Sequence, residues 1–129
     1  RIFSIYGKNT KTIINIWKKN IIKNKQINIW GKEEIIRSWL YIDDFLKAIE
    51  IILNNKKILK VVNIGSDEKT SLKDIIKIIM KKYKIRNVKI LKIKNFYPGP
   101  KIRYANKTKL LKLGWKQKFN LFSGLEKIT

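Results

Sequence analysis

Gly31-Lys-Glu-Glu-Ile-Ile-Arg37-Ser-Trp39-Leu-Tyr41-Ile-Asp43-Asp44-Phe-Leu-Lys-Ala-Ile-Glu-Ile-Ile-Leu53 reads as a turn, a short strand and a helix in succession. Arg37, Trp39 and Tyr41 are two apart, so an extended chain puts them on one face, with Leu40 and Ile42 on the other. Asp43 and Asp44 stand where a first helical turn leaves N–H groups without partners, which suits capping carboxylates. Phe45, Ala48, Ile49, Ile52 and Leu53 continue as an apolar stripe at helical spacing. One guanidinium and two aromatic rings are therefore expected to leave the strand together, a set suited to a ligand with a phosphate and a flat ring.

Outward from that stretch, residues 1–6 alternate with a strand period and Gly7 closes the strand. Ile13, Ile14, Trp17, Ile21 and Ile22 give residues 12–23 one apolar helical face, which Thr10 or Thr12 would cap. Gln26 to Trp30 alternates as a strand ended by Gly31. Asn54 to Lys57 is a polar connector, and Val61-Val62-Asn63-Ile64-Gly65 reads as a strand apolar on both faces, as inside a parallel sheet. Ser71 and Asp74 have capping-box spacing before a helix over 71–83, whose stripe of Leu72, Ile75, Ile76, Ile79, Met80 and Tyr83 is core. Val88 to Ile93 is strand-like, and Asn95 to Pro100, with prolines flanking a glycine, is a loop. Asn106 caps a helix that Gly114 ends, and a last helix closes the chain after Phe119.

The 129 residues are enough for one domain with a core. With no Cys and no His, a disulfide framework, a Cys metal site and the usual neutral-pH general base are all excluded. No apolar run reaches membrane-spanning length and the opening residues do not form a signal peptide, so a cytoplasmic protein is expected. The net charge of +22 invites a nucleic-acid reading. However, only Arg1, Arg37, Arg86 and Arg103 are arginines, and the lysines are scattered through every segment. Such lysines on solvated faces give only loose, salt-sensitive, nonspecific binding to polyanions. A non-enzymatic basic nucleic-acid-binding module, with lysine and aromatics in one stripe, stands as the alternative.

Four blocks, in order, resemble the extended short-chain dehydrogenases that act as nucleotide-sugar epimerases and dehydratases. Arg37-Ser-Trp-Leu-Tyr-Ile-Asp-Asp44 is similar to their Arg-x-aromatic-Ile/Leu-Tyr/His-Val-x-Asp segment. Arg1-Ile-Phe-Ser-Ile-Tyr-Gly-Lys8 is similar to their Arg-x-Phe-Asn-x-Tyr-Gly-Pro, with Ser4 for the Asn and Lys8 for the Pro. Asn63-Ile-Gly-Ser66 and the run from Arg103 to Trp115 match two further blocks, Asn106 and Thr108 replacing the family's Asp and Ser.

The resemblance implies an α/β fold: the C-terminal substrate-binding part of a Rossmann-type enzyme, with short strands and about four helices. Residues 1–129 would be a single partial domain, without the N-terminal dinucleotide-binding half. It puts Arg37 and Arg103 on the diphosphate, and Trp39, Asn28, Ile29 and Trp30 near base and sugar, Trp30 serving equally well as a core aromatic. It also puts Ser4 and Asn106 at the substrate, and Ile2 and Phe3 at the nicotinamide end of the cofactor. NAD or NADP would serve the full-length enzyme, a homodimer, by taking a hydride from the sugar. The dTDP-glucose 4,6-dehydratase, GDP-fucose synthase and UDP-sugar 4-epimerase types remain open.

Two elements of the chemistry are not found in this sequence. None of the six glycines forms the Gly-rich cofactor turn. Tyr97 and Lys101 have the spacing of a Tyr-x-x-x-Lys pair, but Pro98, Gly99 and Pro100 between them forbid the helical turn it needs. No catalytic residue is assigned, and the isolated chain is expected to be inactive, with exposed strand edges.

Overall fold

The computed structural model describes residues 1–56, 60–93 and 99–128. The chain runs β1 (Ser4–Tyr6), α1 (Ile13–Asn24), β2 (Gln26–Trp30), β3 (Ile36–Arg37), β4 (Trp39–Tyr41), α2 (Ile42–Leu53), β5 (Thr70–Ser71), α3 (Leu72–Lys82), β6 (Lys89–Ile93), β7 (Ile102–Arg103), α4 (Thr108–Lys112) and α5 (Leu121–Lys127). This is an α/β fold with short, mostly parallel strands; five helices appear among the described residues where about four were expected.

Among the described residues, three small sheets organise it. β1 pairs in parallel with β4, Ser4 opposite Trp39 and Tyr6 opposite Tyr41. β2 pairs in parallel with β6 over five residues each. β3 lies between β5 and β7, antiparallel to the first and parallel to the second. The strand expected over 37–41 is therefore two strands in two sheets, divided at Ser38. The partner of β3 decides the break: Ile36 donates its N–H to the Lys101 carbonyl at 2.8 Å, a contact no local pattern encodes.

The main core gathers Ile14, Trp17 and Ile21 of α1, Ile27 and Ile29 of β2, and Leu72, Ile75, Ile76 and Ile79 of α3, all at the helical or strand spacing read from the sequence. Trp17 is fully buried without a polar orphan, since Nε1 donates to the Asn28 carbonyl at 3.0 Å. A second cluster joins Leu40, Ala48, Val62, Ile64, Leu110 and Trp115. Ser71 caps α3 by accepting the Asp74 N–H at 3.1 Å. Asn106 accepts the N–H and hydroxyl of Thr108 at 3.1 and 2.8 Å, ahead of α4.

Several local expectations fail. Neither Thr10 nor Thr12 caps α1 through its side chain; Thr10 is taken up instead in the turn at Gly7. Asp43 and Asp44 do not cap α2. Asp44, 3% exposed, instead accepts the N–H groups of Lys118 and Phe119, each at 2.9 Å, and its carbonyl takes Trp115 Nε1 at 3.0 Å. One carboxylate thus ties α2 to a segment more than seventy residues on. Leu53 lies 76% exposed, so the α2 stripe ends before it. Residues 61–65 form no strand beyond a parallel bridge from Ile64 to Ile2, and Val61 is exposed. Lys57, most of the loop expected over Asn95 to Pro100, and Tyr97 of the discarded Tyr-x-x-x-Lys spacing lie outside the described residues.

Candidate functional site

The site begins with register. Arg37 of β3 and Arg103 of β7 are direct partners across a parallel pair, so their side chains leave the same face of the sheet side by side. Arg37 is half-buried, and its guanidinium donates to the carbonyls of Ile36 at 2.8 Å and Pro100 at 2.9 Å. Those bonds fix the planar group and leave Arg103, exposed, as its neighbour. Burial, and then the positive charge of Arg103, hold the Arg37 guanidinium below the ordinary arginine value, though an arginine stays charged at neutral pH. Two like charges placed together repel, and an anion bridging both relieves that repulsion.

In front of the pair lies a cleft of about 320 Å³ lined by Ser4, Ile13, Trp30, Ile35, Arg37, Trp39, Leu72 and Arg103. β1 supplies Ser4, the end of β2 supplies Trp30, and β4 supplies Trp39. Trp30 is 37% exposed, so its ring is an accessible wall rather than core. Trp39 is 8% exposed and Ser38 separates it from Arg37; the two still reach one cleft although they belong to different sheets. A cation pair beside two indole rings and an apolar floor suits a ligand with a doubly charged anionic group and a flat ring.

The structure does not bring every expected residue here. Tyr41 faces the core, packed between Tyr6 (centroids 5.6 Å apart) and Phe119 (5.1 Å), so only one aromatic of the 37–41 run reaches the cleft. Ile29 is fully buried and Asn28 has its carbonyl engaged by Trp17; neither lines the cleft. Asn106 lies elsewhere, its side chain accepting from Thr108 and its carbonyl from Asn63 at 2.9 Å; the N-cap position of α4 falls to Lys107, not to Asn106 as expected. Sequence reading missed Ile13, Ile35 and Leu72 as cleft walls, because Ile13 and Leu72 belong to helical stripes that read as core.

Ile2 is 60% exposed and Phe3 half-buried beside Ile64, so both could offer apolar contact to a flat ring. A dinucleotide pyrophosphate needs backbone N–H groups open to it where a glycine-rich turn meets a helix. The glycines stand singly along the chain and form no such turn; Gly7 donates its N–H to Thr10 Oγ1 at 3.3 Å, and neither Gly7 nor Gly65 has room for a Cβ, which would meet Ile42 at the first and Ala105 and Ser38 at the second. The described residues do not by themselves fit a dinucleotide. Among them there is also no cluster of acidic side chains that could hold a metal ion, and no helix long and apolar enough to cross a membrane.

Residues 1–65 match the model of the NAD dependent epimerase/dehydratase family. The chain is 30% identical over 117 residues to dTDP-glucose 4,6-dehydratase 1 of Escherichia coli, covering 84% of this chain and 32% of that protein. It is 28% identical over 139 residues to a putative UDP-glucose 4-epimerase of Methanocaldococcus jannaschii, covering 100% and 43%. The fold superposes on UDP-glucuronic acid 4-epimerase from Bacillus cereus, solved with UDP-glucuronic acid and NAD, with a TM-score of 0.90 at 28% identity, over 99% of this chain and 42% of that one. The chain thus spans less than half the length of these relatives.

Proposed function

The chain belongs to the NAD dependent epimerase/dehydratase family, and on that premise we propose that it is the nucleotide-sugar-binding part of an NAD(P)-dependent sugar-nucleotide epimerase or dehydratase. The observation that carries this reading is the pairing of Arg37 with Arg103 across one cleft that also holds Trp30 and Trp39. Arg37 and Arg103 grip the diphosphate through charge-assisted hydrogen bonds, and Trp30 and Trp39 supply ring surface. Ser4 stands at the sugar end. Asn28 and Ile29 precede Trp30 on β2 and hold it in place rather than lining the cleft, while Asn106, engaged with Thr108 and Asn63 before α4, stays outside it.

The redox step belongs to a dinucleotide-binding partner segment of the kind the longer relatives have room for. NAD(P), when bound there, supplies hydride exchange with the sugar. What these residues do is position: energy from holding the nucleotide fixes the sugar for the reaction. Ile2 and Phe3 would touch only the ring end of the cofactor, so the chain on its own is expected to be inactive. The complete enzyme would be a cytoplasmic homodimer.

Isothermal titration of the chain with UDP, dTDP, GDP and their glucose conjugates tests the proposal. Saturable binding to at least one is expected. No saturable binding to any of them, together with salt-sensitive binding to DNA or RNA, would favour the basic module instead.

A further inference from the structure

Trp39 carries a polar group that the cleft does not use. Its side chain lines the cleft and is 8% exposed, yet its Nε1–H, shielded from solvent, has no hydrogen-bond partner among the described residues. The two fully buried tryptophans do not share this condition: Trp17 donates to the Asn28 carbonyl and Trp115 to the Asp44 carbonyl, each at 3.0 Å. An orphaned buried donor is costly, and native proteins keep few of them; the Ser38 and Tyr83 hydroxyls are likewise buried without a partner among the described residues, but of the three only Trp39 lines the cleft. Directly across the β1–β4 ladder stands Ser4, in register with Trp39 and lining the same cleft. Ser4 occupies the position at which the resemblance places an Asn that touches substrate. Serine carries a hydroxyl in place of the carboxamide, so its polar atom reaches less far into the cleft than an asparagine's would.

From this geometry we propose that Trp39 is a specificity-determining residue whose indole N–H donates to an oxygen of the bound sugar, taking over the contact that the shorter Ser4 cannot make. The inference rests on the nucleotide-sugar reading of the cleft. The N–H is screened in the free chain, so the bond forms together with a small movement of the ring. The contact discriminates between ligands that share a nucleotide and differ in the sugar, because the arginine pair holds the diphosphate whether or not a sugar follows it. A cleft built to satisfy a donor in this way rejects a ligand lacking the acceptor.

The test compares UDP with UDP-glucose, and dTDP with dTDP-glucose, on the parent chain and on Trp39→Phe. Phe keeps an aromatic ring but loses the donor and part of the indole surface, and the nucleotides without sugar measure the surface loss alone. Trp39→Phe is expected to weaken the sugar conjugates about tenfold more than it weakens UDP and dTDP, which lose only ring surface. In ¹H–¹⁵N spectra of the parent chain, the indole signal that Trp39→Phe deletes should move downfield with UDP-glucose and stay in place with UDP. Ser4→Asn, which restores the longer side chain, should remove most of the penalty when combined with Trp39→Phe. Equal loss for UDP and UDP-glucose would assign Trp39 a merely structural role, and no loss for either would leave the donor without a ligand; both results overturn the inference alone. Failure of the parent chain to bind any of the four ligands overturns the nucleotide-sugar reading and the inference with it.

Discussion

Replacing Asp44 by Ala should destabilise the chain more than any other single carboxylate change. Asp44 is 3% exposed and accepts two backbone N–H groups, those of Lys118 and Phe119, at 2.9 Å each. Alanine leaves both donors facing a small void. A donor left without a partner after deletion costs about 1–3 kcal/mol. Because the two share one carboxylate and one of them can relax toward water, the sum is taken as about 2–4 kcal/mol. A domain unfolds with an entropy near 2.1 cal/mol/K per residue, so for 129 residues each kcal/mol moves the melting temperature by roughly 3–4 °C. Asp44→Ala should therefore lower Tm by about 8–15 °C in a circular-dichroism melt. Asp43 is the matched control: it lies on the same first turn of α2 but is exposed. Asp43→Ala should stay within about 0.5 kcal/mol of the parent. If the two variants melted together, the tie from α2 to residues 118–119 would not contribute to stability, and the description of that core edge would be wrong.

Two further outcomes follow from packing and burial. Tyr6 is fully buried and its hydroxyl donates to the Leu121 carbonyl at 3.3 Å; burial, then the nearby Glu68, Tyr41 and Asp44, push its ionisation far above the ordinary tyrosine range. Since the folded value is the raised one, the associated stability is fully present below pH ~10 and is lost as pH climbs above it; Tyr6→Phe should show a shallower alkaline decline in urea midpoints, and parallel declines would contradict this. A Cβ on Gly124 would collide with the Tyr6 hydroxyl and press on Tyr41 at 3.3 Å. Gly124→Ala should accordingly cost about 1–3 kcal/mol, with partial relief in the Tyr6→Phe background, as urea unfolding would report.

The helices were legible because their apolar residues recur at fixed spacing: Ile14, Trp17 and Ile21 of α1, and Leu72, Ile75, Ile76 and Ile79 of α3, are buried where the period places them. The arginine pair was legible from two separate motifs, one around Arg37 and one around Arg103. Their direct register was not, since it depends on a two-residue strand pairing that no local pattern announces. The split at Ser38 escaped for the same reason, and with it the turn of Tyr41 into the core. Asp44 was misread because a carboxylate in a first helical turn has an obvious local use, while its real partners lie 74 and 75 residues away. The unmet donor of Trp39 could not be seen in the sequence at all. It appears only when the partners of every buried polar atom are accounted for.

The central claim is that Arg37 and Arg103 together hold a diphosphate, and the most direct measurement is the affinity of Arg37→Ala, Arg103→Ala and the double variant for UDP and for uridine. Each single change should weaken UDP binding about tenfold or more and leave uridine, which lacks phosphate, unaffected; the two losses should be non-additive because one bridging anion couples them. Unchanged UDP affinity in Arg103→Ala, or equal losses for UDP and uridine, would contradict the account.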